Sequence, residues 1–133
     1  MVATTVLGDI TVNAANTIQL GANLTVLSTA ADKLDLQDPV VLTAGVTLTA
    51  GSTGINFVST LNGAFNLVLD AVGPTTVTGA VGNSTPVGTG TATAITISST
   101  GATRFYSTVA TASGISATNG TACLLYTSDA ADE

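Results

Sequence analysis

The chain has 133 residues, of which 8% are charged and 4% are aromatic, and it contains no Trp and no His. Without His, the common catalytic triads and most zinc sites cannot be assembled. Only two residues are basic against a formal net charge of −6, which argues against nucleic acid as a partner, because phosphate neutralisation needs clustered Lys or Arg. Gly, Val, Ile and Thr favour turns and strands over helices, so the composition predicts an all-β fold.

Similar segments follow one another along the chain, and each opens with a short strand in which two apolar residues flank a central residue. Four of these strands are Leu24-Thr25-Val26, Val46-Thr47-Leu48, Leu67-Val68-Leu69 and Ile95-Thr96-Ile97, and a shorter copy is expected near Ile10. Because side chains alternate across a strand, the apolar pair is predicted to face a core and the central residue to face outward.

Each strand is followed by small turn residues and then by a second apolar pair. The turns begin at Ser28, Ser52 and Ser99, whereas the third copy uses Gly73-Pro74, and Gly and Pro suit turns because of their backbone preferences. In the second pair the two apolar residues stand four positions apart. These pairs are Leu36 and Val40, Phe57 and Leu61, Val77 and Val81, and Phe105 and Val109.

The copies starting near residues 24, 46, 67 and 95 are separated by 22, 21 and 28 residues, and the longest interval contains a predicted loop at Gly82–Gly90. A period in the low twenties with short strands and no helical segment predicts a β-solenoid over residues 1–122. Several short strands at regular spacing would also suit a β-sandwich, which is the alternative. The longest uncharged stretch, from Ala71 to Thr103, is interrupted by Gly and Pro, so no membrane span is expected.

Some of these segments have a recognisable sequence pattern that recurs along the chain. They are Val46–Gly51 leading into Gly54–Phe57, then Leu61–Ala64, and Gly79–Gly82 followed by Thr85-Pro86. Between about Gly8 and Ala122 the chain resembles the repeat region of large haemagglutinin-like and autotransporter-type adhesins of Gram-negative bacteria. The resemblance implies a right-handed parallel β-helix, secretion to the cell surface in association with the outer membrane, and attachment or biofilm formation. It implies a host-cell or matrix surface, including carbohydrate, as partner, and it supplies no catalytic residues.

The last eleven residues, Cys123 to Glu133, differ in composition from the rest of the chain. They resemble the translation of a transposase mosaic-end sequencing adapter. We therefore expect residues 123–133 to be a non-native tail and residues 1–122 to be a fragment of a longer protein. The single cysteine belongs to this tail, so no disulfide or Cys-based metal site is expected.

Five carboxylates precede the tail, namely Asp9, Asp32, Asp35, Asp38 and Asp70. Three of them are spaced three residues apart, and such a cluster could serve a calcium loop or a glycosidase acid pair. The Gly and the closing Glu of an EF-hand are missing, however, and a strand would place Asp35 on the face opposite to its two neighbours. Solvated surface acids are therefore expected, and we assign no metal site and no catalytic residue.

Two surface features remain as candidates for binding. Arg104 lies beside Phe105 and Tyr106, where it could hold a carboxylate or a sugar or could cover a strand edge with its stem. A predicted outward row consists of Thr11, Thr25, Thr47 and Thr96, with Val68 as an interruption.

The expected function is that of a non-catalytic structural and adhesive segment without a cofactor. A polysaccharide-binding or polysaccharide-degrading solenoid and an ice-binding-like Thr surface are the alternatives. Neighbouring repeats of the same chain are expected as additional partners of each copy, because a single coil buries too little to be stable alone.

Overall fold

The computed structural model describes residues 4–6, 10–13, 15–26, 33–118 and 122–124, and in this part the chain is all-β and contains no helix. Its parallel strands stack in a β-solenoid of about four turns. The predicted solenoid is therefore confirmed against the sandwich alternative, in which the strands would pair antiparallel.

The strands of the described residues are two to five residues long. They are β1 (Thr4–Val6), β2 (Ile10–Val12), β3 (Ile18–Leu20), β4 (Leu24–Val26), β5 (Lys33–Leu36), β6 (Val40–Leu42), β7 (Val46–Ala50), β8 (Gly54–Phe57), β9 (Leu61–Asn62), β10 (Leu67–Ala71), β11 (Thr75–Val77), β12 (Ile95–Ile97), β13 (Thr103–Phe105), β14 (Ile115–Ala117) and β15 (Ala122–Leu124).

These strands form three parallel sheets. The first sheet has the order β1-β4-β7-β10-β12-β14, the second has the order β2-β5-β8-β11-β13-β15, and the third consists of β3-β6-β9. Isolated bridges from Leu61 to Val81 and from Val81 to Val109 extend the third sheet. One coil, defined here as a turn of chain that begins with a strand of the first sheet, thus passes through all three sheets in sequence.

The strands that open the four predicted copies lie side by side in the first sheet as β4, β7, β10 and β12. The copy expected near Ile10 is a different element, because β2 pairs with β5 in the second sheet. Its counterpart in the first sheet is β1, which pairs Thr4 with Leu24. The assignment near Ile10 was wrong because an apolar-Thr-apolar strand fits either sheet equally well.

The core consists of columns of apolar side chains that run along the solenoid axis. In the second sheet Leu36, Phe57, Val77 and Phe105 occupy equivalent positions. In the third sheet and its bridged extension, the equivalent positions are occupied by Val40, Leu61, Val81 and Val109. The apolar pairs four residues apart therefore span the corner between the second and third sheets, and all of these side chains are buried except Val109, which is partly buried.

The corner between the first and second sheets stacks tightly from coil to coil. Gly73 donates its N–H to the carbonyl oxygen of Gly51 at 3.0 Å. A Cβ atom at Gly73 would lie 2.0 Å from the backbone oxygen of Ser52, and one at Gly101 would lie 2.2 Å from that of Gly73. The predicted turns at Ser52, at Gly73-Pro74 and at Ser99 are thus places where neighbouring backbones come too close for a side chain. The turn predicted at Ser28 lies outside the described residues.

The additional residues of the long interval pack against the neighbouring coils. Asn62 accepts hydrogen bonds from the N–H groups of Ser84 and Thr85 at 2.9 and 3.1 Å, and its amide group donates to Asn83 at 3.1 Å. Val87 is fully buried and forms a parallel bridge with Thr111. We call residues 82–94 the inserted loop, and it follows the third sheet.

Candidate functional site

Most core side chains are apolar, so the polar groups of the three sheets lie mainly on their outward-facing residues. The third sheet presents Gln19 and Val41 in equivalent positions, followed by Asn62, which the inserted loop covers. The first and second sheets carry two outward columns each, and these columns differ in side-chain chemistry.

The outward side of the first sheet consists mainly of small hydroxyl residues. One column contains Thr47, Val68, Thr96 and Ser116 in register. A second column contains Thr25, Thr49 and Asp70 in register. The second column continues to Ser98, whose N–H donates to the carbonyl oxygen of the residue before Asp70 in the preceding coil.

The predicted single Thr row is therefore wrong in two respects. Thr25 pairs with Thr49 rather than with Thr47, because β4 and β7 are offset by two residues relative to the sequence alignment. Thr11 pairs with Asp35 and belongs to the second sheet. Val68 does interrupt the column between Thr47 and Thr96, as expected.

The outward side of the second sheet carries larger polar side chains, and we call it the second face. One column contains Asp35, Asn56, Thr76 and Arg104 in register. A parallel column contains Gln37, Val58, Thr78 and Tyr106. Each member of that column donates its backbone N–H to the strand of the preceding coil, over 2.9 to 3.0 Å. Two side chains per coil are thus presented on this face.

One end of the second face is a continuous network of side-chain hydrogen bonds. The Nδ2 atom of Asn56 donates to Oδ1 of Asp35 at 2.9 Å, and Nε2 of Gln37 donates to Oδ2 of the same carboxylate at 3.2 Å. Asn13 donates in turn to Oε1 of Gln37 at 3.1 Å. Asp35 is only 5% exposed, so the expectation of a solvated acid is wrong at this position.

The structure describes two of the other predicted acids, Asp38 and Asp70. Asp38 is half-buried in the corner after β5, and Asp70 is exposed on the first sheet. Asp9 and Asp32 lie outside the described residues. In the described part of the chain, no group of three or more His, Cys, Asp or Glu residues is placed to hold a metal ion.

Arg104 and Tyr106 lie toward the opposite end of the second face, on the strand next to the last one, β15. The side chains before and after Arg104, those of Thr103 and Phe105, are buried in the core, which directs Arg104 outward. Tyr106 is 47% exposed. Within the described part of the chain, no ion pair and no side-chain hydrogen bond engages the Arg104 guanidinium.

Sequence reasoning singled out Arg104 but missed Asn13, Gln37 and Asn56. One feature of the sequence could have revealed them. The residue that stands between two buried neighbours in each strand of the second sheet forms a column, and this column contains Asp35, Asn56 and Arg104. These residues have no common chemistry, and only their shared position between two buried neighbours connects them.

Of the suspected tail, Cys123 and Leu124 extend the second sheet as part of β15, and residues 125–133 lie outside the described residues. No helix in the described part of the chain has the length and apolar character needed to cross a membrane. No family model, curated protein or solved structure matches the chain.

Proposed function

We propose that the chain is a non-catalytic structural and adhesive segment of a large secreted bacterial surface protein, with a role in cell attachment or biofilm formation. The observation that carries this proposal is the parallel register that continues from β4 through β14 in the first sheet and from β5 through β13 in the second. Such a stack grows by about 4.8 Å with each coil and repeats its outward chemistry at the same interval.

The arrangement of polar groups supports a surface role over catalysis. Asp35 and Asp70 lie on different sheets, and the buried Asp35 is already engaged by Asn56 and Gln37. Asp38 is half-buried in the corner after β5. A polysaccharide-degrading solenoid needs two carboxyl groups within about 10 Å of each other on opposite sides of a glycosidic bond. The polar side chains of the second face are better suited to hydrogen bonding with a surface partner.

Adhesion of protein-coated beads tests the proposal directly. Beads carrying the full chain are expected to be retained under laminar flow on epithelial cells, extracellular matrix or polysaccharide gels, and albumin-coated beads serve as the control. Retention equal to that of albumin on every surface would contradict an adhesive role.

The DNA beyond the codon of Ala122 tests the proposed origin in a large repetitive protein. Long-read sequencing is expected to find further copies with the same period, because each coil is stabilised mainly by its neighbours. A stop codon directly after the described coils, with no further copies upstream, would contradict the proposal.

The paired columns of the first sheet favour a second candidate function, a regular hydroxyl surface of the ice-binding type. Thr47 and Thr49 lie on one strand, and Ser98 follows directly after the strand that carries Thr96. Val68 and Asp70 separate these two pairs. Thermal hysteresis is therefore expected to be small in the natural chain and larger in the double variant Val68→Thr/Asp70→Thr. Absence of thermal hysteresis in both proteins would exclude this candidate.

A further inference from the structure

The second face changes character along the solenoid axis. Near one end Asp35 is enclosed by amide side chains. Toward the other end, where β15 is the last strand, Arg104 is partly exposed and Tyr106 is exposed. Between these ends the face presents the exposed Val58, then Thr76 and the exposed Thr78. This gradient makes the Arg104 end the part of the face best suited to bind a ligand.

The charge of Arg104 is not neutralised by the acids of the same face. Asp35 lies in the same column but three strands away, which corresponds to about 14 Å at the usual spacing of strands. Their attraction is weak because this separation exceeds the screening length of about 8 Å at physiological ionic strength and Arg104 is partly exposed to solvent, although the buried Asp35 is screened less than a surface charge. The described acids of this face therefore do not prevent an anionic group from pairing with Arg104.

The neighbouring side chains restrict the chemistry of that anionic ligand. Tyr106 lies two residues beyond Arg104 on the same side of the chain, so their Cβ atoms are about 7 Å apart. A guanidinium pairs with a carboxylate through two parallel hydrogen bonds. An exposed aromatic ring offers an apolar surface with a polar tip, which suits the C–H face of a sugar ring. The hydroxyl groups of Thr76 and Thr78 can hydrogen-bond to sugar hydroxyls one coil away.

We propose that Arg104, Tyr106, Thr76 and Thr78 form a binding site for an acidic polysaccharide, in which Arg104 pairs with a uronic acid carboxylate and Tyr106 packs against a sugar ring. The polysaccharide lies along the solenoid axis, where successive coils present an outward pair of side chains about every 4.8 Å. This inference rests on the proposed adhesive function and assigns to it a ligand class and a face.

Binding of the full chain to sodium alginate tests this assignment, with dextran as the neutral polymer and affinity electrophoresis as the measurement. Dextran is expected to bind about tenfold more weakly than alginate, because it lacks the carboxylate. Arg104→Gln is expected to weaken alginate binding by about tenfold, because a charge-assisted hydrogen bond is lost. Tyr106→Ala is expected to weaken it by about fivefold through loss of the aromatic contact.

Two matched controls distinguish a site from general attraction between charges. The double variant Thr96→Arg/Arg104→Gln has the charge of the natural chain but places the cation on the first sheet, and it is expected to bind as weakly as Arg104→Gln alone. Phe65→Ala removes an exposed aromatic ring elsewhere, beside the inserted loop, and is expected to bind normally. Circular dichroism melts must show that all variants remain folded.

Three results would overturn the assignment: equal binding of dextran, recovery of binding in the charge-relocated variant, or equally tight binding of poly-glutamate. The last result would mean that only a carboxylate is recognised. Bead adhesion that persists in Arg104→Gln would reject this site and leave the adhesive function standing. Loss of adhesion to every surface, with alginate binding intact, would reject the function and leave the site.

Discussion

In the coil starting at Leu67, the corner between the first and second sheets differs from the connection between the third sheet and the next coil in how it accommodates change. At the corner between the first and second sheets, backbones stack so closely that a Cβ atom at Gly73 would overlap a neighbouring carbonyl oxygen. At the connection from the third sheet to the first, the coil starting at Leu67 carries the inserted loop without losing register, since β10 still pairs with β12.

The comparison shows that coils of different length can stack with the same regular strand pairing. Strand register is maintained where backbone hydrogen bonds run directly from coil to coil, as from Gly73 to Gly51. Extra residues are accommodated where a side chain, here Asn62, supplies the hydrogen bonds that the ladder no longer provides. The following predictions test this difference, beginning with the largest expected effect.

Gly73→Ala is expected to destabilise the chain by about 3 kcal/mol, because its methyl group would meet backbone atoms that cannot move independently. Gly114→Ala is the matched control, since a Cβ atom there has no neighbour within 4 Å. The control is expected to be neutral or stabilising by about 0.5 kcal/mol. Urea unfolding provides the measurement, and equal stability of the two variants would contradict the tight-corner account.

Asn62→Ala is expected to cost about 1.5 kcal/mol, because the N–H groups of Ser84 and Thr85 lose their acceptor. Asn66→Ala removes a single exposed hydrogen bond, to the N–H of Thr89, and is expected to cost about 0.5 kcal/mol. Hydrogen exchange at Ser84 and Thr85 should accelerate only in the first variant. Unchanged exchange there would show that Asn62 does not hold the loop.

Thr103→Val is expected to stabilise the chain by about 1 kcal/mol. Thr75 and Thr103 pair directly after the tight corner, both are fully buried, and neither side-chain oxygen has a hydrogen-bond partner. Valine retains the branched shape and removes the unsatisfied hydroxyl. Thr76→Val on the outward side is the control and is expected to change stability by less than about 0.5 kcal/mol. A lower melting temperature for Thr103→Val would mean that its hydroxyl has a partner.

Insertion of Gly-Ser after Gly90 is expected to change the free energy of unfolding by less than about 0.5 kcal/mol, because the entropy of loop closure rises slowly with length. The same insertion after Ser52 is expected to prevent stacking of the coils on either side. Thermal melting provides the measurement. Equal loss of stability at both positions would contradict the claim that the inserted loop accepts extra residues and the corner does not.

Sequence periodicity was sufficient to predict the solenoid and the composition of its core. The pairs typified by Phe57 and Leu61 span the corner between the second and third sheets in every copy, so their spacing of four residues follows from the geometry of that corner. A loop was also predicted over Gly82–Gly90, which is the greater part of the inserted loop. Its packing was not, because the role of Asn62 depends on residues more than twenty positions away.

Strand register could not be predicted from the same pattern. Side chains alternate with a period of two, so a shift by two residues leaves the buried face unchanged. The pairing of Leu24 with Leu48 rather than Val46 is such a shift, and it converts a single expected Thr row into two columns. The second face was missed for a related reason, because Asp35, Asn56 and Arg104 share a position but no residue type.

The unequal coils have a mechanical consequence. A chain pulled from its two ends would peel coil by coil, and each event would release one coil length of extended polypeptide. The coil starting at Val46 has 21 residues and would release about 70 Å, whereas the coil starting at Leu67 has 28 and would release about 95 Å. In a force–extension trace, the inserted loop would thus appear as one step about 25 Å longer than its neighbours.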